Sequence, residues 1–153
     1  MKKNKASLKT IGSLDRVDFP LLSLADLPCK IDTGAETSAI HCHKVKLIEK
    51  DGEEIISFCL LDPKHPNYNG IEFRVKDFEE KKVKSSFGQS EFRYTIRTQV
   101  ILFGEKITAN FTLSDRERMK YPVLLGKSLL KKRFLVDVSQ IDLSYKQKVS
   151  INL

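Results

Sequence analysis

Residues 91–103 read EFRYTIRTQVILF, a strict alternation that places Tyr94, Ile96, Thr98, Val100 and Leu102 on one side of an extended chain. The residues themselves are β-branched or aromatic, the types that fit a pleated surface with one face buried. Much of the chain repeats this theme in short runs punctuated by turns. "SAIHCHKVKLIEK" and "EEIISFCLLD" flank Asp51-Gly52, a two-residue hairpin signal. "PKHPNYNG" is a loop by composition, and "IEFRV" carries the chain back. A second long hairpin is expected about a tip at Ser85-Ser86-Phe87-Gly88-Gln89, and Gly104-Glu105 turns its far strand into "KITANFTLSD".

At the amino-terminal side, "LKTIGSLDRVDF" and "PLLSLADL" read as two strands meeting at Phe19-Pro20, with Pro20 favouring an edge or a strand start. "YPVLLG" is a short apolar strand closed by glycine. Only "KSLLKKR" offers a helical turn or two, with Ser128 as a candidate cap, and "FLVDVSQIDLSYKQKVSINL" reads as a closing pair of strands. The expectation is an all-β barrel with one short C-terminal helix, a single domain over residues 1–153.

Composition excludes several classes. With 41% hydrophobic and 31% charged residues the chain reads as a folded globular protein. No apolar run approaches the roughly 20 residues that span a membrane, and the basic N-terminus lacks an apolar signal core, which points to the cytoplasm. The net charge of +7 suits an acidic partner, yet the basic clusters lack the interleaved aromatics of a single-strand binder, so no nucleic acid is expected. Cys29, Cys42 and Cys59 are odd in number and widely spread, unlike a disulfide framework. On a strand His41 and His43 share a face, but two ligands are half a zinc site and no H-E-x-x-H or paired C-x-x-C completes it. His65 and Cys59 are the remaining residues that could join them; metal and cofactor are expected to be none.

The chemistry concentrates in "CKIDTGAETSAIH", Cys29 to His41. An aspartate on a tight turn, with a small hydroxyl beside it and a glycine that lets backbones approach, suits a carboxylate held for work on water. Such chemistry needs a second carboxylate, so that one holds a proton while the other stays ionised.

This loop resembles the active-site loop of the retropepsin-like aspartic peptidases, and the order of features around it agrees. About fifty residues on, "SSFGQSEFRY" occupies the place of their flap, and "YPVLLGKSLL" is similar to the strand, glycine and short helix behind their catalytic loop. The closer resemblance is to a bacterial and archaeal subgroup long labelled "ATP-dependent zinc protease", whose members carry D-T-G-A-x-T-S-A-[LI]-H, "RYxIRT", "TLxDRxxMxxPxLLGRxxL" and "VD". The chain matches with Thr37-Ser38-Ala39-Ile40-His41, Arg93 to Thr98, Thr112 to Arg116, Met119, Pro122, Leu124-Leu125-Gly126 and Val136-Asp137. The label itself finds no support, since neither a zincin motif nor a P-loop occurs in the 153 residues.

The resemblance implies Asp32 as the catalytic carboxylate, Thr33 as a hydroxyl bracing paired loops, and Gly34 as backbone offered to substrate. Ala35, Ser86, Phe87 and Gly88 would line the substrate site and flap, although the loop from Asp62 to Gly70 is a second candidate cover. Glu36 and Lys127 would form an ion pair behind Gly126, with Lys127 standing where the family carries Arg and its two-pronged grip. His41 recurs in the subgroup; a core histidine is the plainer reading than a ligand. A single D-T-G gives a carboxylate pair only when two chains meet about a two-fold axis, so the resemblance implies a homodimer, with "SYKQKVSINL" as a candidate interface strand. Peptide or protein substrates are implied, acidic or glutamate-rich ones being compatible with the positive charge. The alternative is a catalytically silent peptide-binding or protein-interaction domain on the same barrel.

Overall fold

The computed structural model describes residues 8–84, 88, 90–115 and 120–151. Eleven strands run in order: β1 (Lys9–Ile11), β2 (Leu14–Phe19), β3 (Leu24–Ile31), β4 (Ser38–Lys50), β5 (Glu53–Leu60), β6 (Glu72–Val75), β7 (Phe78–Lys84), β8 (Ser90–Leu102), β9 (Glu105–Ser114), β10 (Val123–Leu125) and β11 (Phe134–Val136). Among the described residues two α-helices accompany these strands, α1 (Lys127–Leu130) and α2 (Leu143–Ile151).

Six strands close on themselves in the order β10, β3, β2, β8, β9, β4, and β4 pairs back with β10. Closure removes the sheet edges within the barrel. Two of its seams are parallel and bring distant segments together: β3 beside β10, with Cys29 opposite Val123, and β4 beside β9, with Ile40 opposite Leu113. β5 and β6 extend outward from β4, and β7 pairs with β8. β1 and β11 form a separate parallel pair.

The alternation along β8 does what its pattern requires. Ile96, Thr98, Val100 and Leu102 are buried and Tyr94 is half-buried on the same face, while Arg93 and Arg97 are exposed. Phe111 of β9 meets Phe19 of β2 edge-on at 5.2 Å between ring centroids, and both rings are fully buried. Burying a side chain of that size stabilises the fold by about 1.5–3 kcal/mol. The Asp51-Gly52 hairpin forms as expected, with φ of 53° and 78° at the two turn residues. Both values are positive, the requirement of the tight turn whose twist matches its strands. The following hairpin uses the same device one residue earlier than expected, at Phe103-Gly104, so that Glu105 already opens β9.

Three expectations are corrected. The segment "LKTIGSLDRVDF" breaks into β1 and β2 at Gly12, where a Cβ would lie 2.0 Å from the Gln140 carbonyl oxygen; the backbone is pinned there instead of continuing. Pro20 begins a 3₁₀ turn over Pro20–Leu22, which suits its fixed φ, and β3 starts only at Leu24. The largest departure is the C-terminal segment, which is helix α2 and not a strand, so "SYKQKVSINL" is no interface strand.

Polar tertiary contacts decide this against an alternating local pattern. The Asp15 carboxylate, 2% exposed, accepts hydrogen bonds from the backbone N–H groups of Ser144 (2.9 Å) and Tyr145 (3.1 Å), supplying the anion that the first turn of a helix favours. Burial nonetheless raises the carboxyl of Asp15 above its ordinary value, and these bonds partly offset that. Further along, Lys148 reaches Asp18 at 2.9 Å and Asp26 at 2.7 Å, tying the helix to β2 and β3. A strand would have held its valine and isoleucine on one buried face; in the helix Val149 and Ile151 are exposed.

Candidate active site

β3 delivers the chain to Asp32 at the mouth of the barrel, and β4 takes it away from Ser38. Between them the loop is held almost entirely by backbone. Asp32 N–H donates to the Leu125 carbonyl (2.8 Å), and Ala35 N–H donates back to the Asp32 carbonyl (3.3 Å). From the other side, Lys127 N–H donates to the Ala35 carbonyl (2.7 Å) and Ser128 N–H to the Glu36 carbonyl (2.9 Å). The buried Ser38 hydroxyl accepts from Gly126 N–H at 3.0 Å. The strand, glycine and helix of "YPVLLGKSLL" thus lie directly behind the loop.

Gly126 is where the two backbones touch. A Cβ there would sit 2.8 Å from the Ala35 carbonyl oxygen and 2.8 Å from the Thr37 carbonyl carbon, closer than real side chains come. Its φ of −95° suits any residue, so the glycine is there for space. Ser128 is not the cap of α1, whose N-cap is Gly126; its hydroxyl instead donates to the Glu36 carbonyl at 2.7 Å. The expected pair between Glu36 and Lys127 is present at 3.5 Å, with the side chains 74% and 53% exposed. At that exposure it adds little stability of its own, and the backbone bonds carry the loop.

The Asp32 side chain is half-exposed, and its Oδ1 accepts from Gly34 N–H at 3.0 Å, which turns the carboxylate over its own bend. Thr33 and Gly34 are exposed. Thr33 borders a hollow of about 380 Å³ with Glu36, Lys127, Leu130 and Phe134. On the other flank a larger groove of about 680 Å³ begins at Ala35, Thr37 and Ala39. Its walls come from Thr112 and Ser114 of β9 and from the stem of the β7–β8 hairpin. Gly88, near the tip of that hairpin, is exposed with φ of +80°; Ser86 and Phe87 lie outside the described residues.

The loop from Asp62 to Gly70 contributes nothing to the lining of this groove. It is fastened instead to β4. His41, 3% exposed, bonds Asp62 through Nε2 at 2.5 Å, while its Nδ1 lies 3.8 Å from Asp115. His43 Nε2 lies 3.1 Å from the Tyr68 hydroxyl. Asp62 and Asp115 are the partners that sequence reading missed, for nothing in their spacing links them to His41. Among the described residues no three His, Cys, Asp or Glu side chains converge as metal ligands. Cys29, Cys42 and Cys59 are free and buried, and burial pushes the Cys42 thiol up to about 12.

The hydrogen bond from His41 holds the Asp62 carboxyl below its ordinary value of 3.8. A folded value below the unfolded one stabilises the fold fully above 3.8, and that contribution is lost as the pH falls through the lowered folded value. We expect His41→Phe to destabilise the protein by about 1–3 kcal/mol at neutral pH, because Asp62 keeps its charge and loses its side-chain donor, with only the Lys64 N–H bond left among those described. The difference between variant and wild type in urea midpoint is expected to shrink below pH 4. A difference that does not change with pH would assign the histidine to packing alone.

Comparison with known proteins follows this geometry. The chain is 34% identical over 134 residues to a probable alpha-L-glutamate ligase of Shewanella pealeana and 31% identical over 129 residues to one of Desulfotalea psychrophila. These alignments cover 85% and 84% of this chain but 28% of each ligase, so the chain spans little more than a quarter of these relatives. A crystal structure of a Legionella pneumophila protein of unknown function superposes with a TM-score of 0.71 at 24% identity, covering 90% of this chain and 99% of that one, which shows a shared fold. Residues 11–147 match the family described as the retropepsin-like aspartic endopeptidase RimB, and with the barrel and the Asp32 loop in place the chain belongs to that RimB-like family.

Proposed function

We propose that the protein is a homodimeric aspartic peptidase in which each chain contributes one Asp32 to a shared pair of carboxylates. The observation that carries this is the loop itself: a half-exposed Asp32 bonded through its backbone to Leu125 and Ala35, with Ala35 held in turn by Lys127 N–H and bordering a groove of about 680 Å³. One chain supplies one D-T-G loop, so the pair requires a two-fold axis close to Asp32 and Thr33. Thr33, exposed on that side, is then in a position to brace the partner loop.

In the paired site like charges a few ångströms apart cannot both ionise, so one carboxyl holds a proton and the other is a base. The base takes a proton from a bound water, whose oxygen attacks the peptide carbonyl. The protonated carboxyl hydrogen-bonds the carbonyl oxygen, and a proton then passes to the leaving nitrogen as the C–N bond breaks. No cofactor is required. Gly34 would present backbone to the substrate, with Ala35 and Gly88 beside it.

The names of the glutamate ligases point to substrates that contain glutamate, joined through peptide or isopeptide bonds, and the net charge of +7 favours such acidic chains. Three free buried thiols fit a reducing compartment such as the cytoplasm. Among the described residues no helix is long and apolar enough to cross a membrane.

The test is a peptide-cleavage screen from acid to neutral pH with wild type and Asp32→Asn, beside the mass in solution. The expected result is a dimer whose cleavage falls on the order of 10³-fold or more in the variant. A monomer with no cleavage that depends on Asp32 would leave the silent peptide-binding domain as the better reading.

A further inference from the structure

A hollow of about 470 Å³ opens where the β8–β9 turn meets β1 and the segment that follows α1. It has no described lining residue in common with the groove that begins at Ala35, and it shares Phe134 with the hollow beside Thr33. Lys9, Arg97, Lys106, Lys132 and Arg133 all line it, and Glu105 is the one carboxylate among the described residues that do. These five cations are exposed and come from four separate stretches of the chain. The fold does not neutralise them. The alternation that buries Ile96 and Thr98 turns Arg97 outward, and burial of Ile107 does the same for Lys106. Across the strands Arg97 faces Asn110 and Lys106 faces Ile101, so neither meets an acid there. Lys106 and Lys132 form no ion pair among the described residues. Lys132 also stands at φ of +65°, where glycine is the easier residue. The other three are engaged in part: Arg97 reaches the Asn110 amide oxygen only at 3.5 Å, Arg133 donates to the Leu129 carbonyl at 3.0 Å, and Lys9 lies 3.6 Å from Glu105.

Two aromatic rings line the same space. Phe103 and Phe134 are half-buried with centroids 5.8 Å apart, and Lys9 Nζ lies 5.4 Å from the centre of the Phe103 ring. Along the sequence the basic runs lack interleaved aromatics, which is why no nucleic acid is expected from them. Folding supplies what the runs lack, by bringing Phe103 beside Phe134 at the end of Lys131-Lys132-Arg133. Cations around partly exposed rings suit a single strand of nucleic acid, whose phosphates pair with the guanidinium and ammonium groups while a base stacks on a ring. An acidic peptide would use the cations and leave the rings idle. A duplex keeps its base faces within its own stack.

We propose that this hollow binds single-stranded nucleic acid, with Arg97, Lys106 and Lys132 on the phosphates and Phe103 and Phe134 against a base. Arg97 brings the planar fork that pairs two phosphate oxygens at once, and the lysines act as point charges. Such binding uses no residue of the Asp32 loop and does not depend on the peptidase reading.

The full chain is titrated at low salt, by fluorescence anisotropy, against a labelled oligothymidylate of about twelve nucleotides. Unlabelled competitors are the same strand, an abasic strand of equal length and a polyglutamate peptide of equal charge. The oligothymidylate is expected to bind, with the logarithm of affinity falling linearly in the logarithm of salt. The abasic strand keeps the phosphates and lacks the bases, so it is expected to compete about tenfold more weakly. Arg97→Gln combined with Lys106→Gln is expected to weaken binding about tenfold and to flatten the salt slope by roughly 1.4, about 0.7 for each cation removed. Lys50→Gln, at the end of β4, removes a charge elsewhere and is expected to leave the slope unchanged. No binding at low salt, or a slope that Arg97→Gln with Lys106→Gln does not change, overturns the assignment. So does competition by the abasic strand or by polyglutamate as strong as that of the oligothymidylate, since charge alone would then explain the binding.

Discussion

Wild-type chains mixed and re-equilibrated with Asp32→Asn chains are expected to lose cleavage as the square of the wild-type fraction. At one wild-type chain in ten, only about 1% of two-fold dimers hold two intact aspartates. The proposed site needs one intact aspartate from each chain. A dimer with one asparagine retains a single carboxyl, which cannot be acid and base at once. Total protein concentration is held constant so that association is unchanged. A linear fall, with about a tenth of the activity left, would show that each chain works alone and would remove the need for the two-fold axis.

Gly126→Ala is expected to cost about 3 kcal/mol of stability, read as a lowered midpoint in urea. The new methyl would meet the Ala35 and Thr37 carbonyl groups at 2.8–2.9 Å, and these are backbone atoms that cannot rotate away. Relief requires α1 to part from the loop, which stretches the bonds from Lys127 to Ala35 and from Ser128 to Glu36. Gly34→Ala makes the contrast. A Cβ there meets only the Asp32 Oδ1 atom, at 3.4 Å, so stability is expected to remain near that of wild type. Equal midpoints for Gly126→Ala and wild type would mean that the close approach of the two backbones is not a constraint.

The parts of this fold that were legible in the sequence were those settled locally. Asp51-Gly52 announces a tight hairpin because few residue pairs tolerate two positive φ values in succession. The alternation from Tyr94 to Leu102 fixes which face of β8 enters the core. The contact of Glu36 with Lys127 was accessible because a resemblance placed both residues at one turn. The C-terminal helix was not legible, since its first turn is held by Asp15 and its last by Asp18 and Asp26, more than a hundred positions earlier. The partners of His41 were hidden for the same reason. A polar residue in a strand pattern does not disclose which distant loop will be tied to it.

The parallel seam of Cys29 with Val123, described above as part of the closure, also sets an order of events in time. The turn that bears Asp32 is moored to Leu125, and Ser38 to Gly126 across a separation of 88 residues. Ordering that turn therefore waits for one of the longest loop closures in the chain, and contacts of this kind are made slowly. A nascent chain has no moored carboxylate until Leu125 and Gly126 have been added and can reach the turn. In the peptidase proposed above, that delay would leave Asp32 unplaced while the chain's own unfolded segments are still exposed.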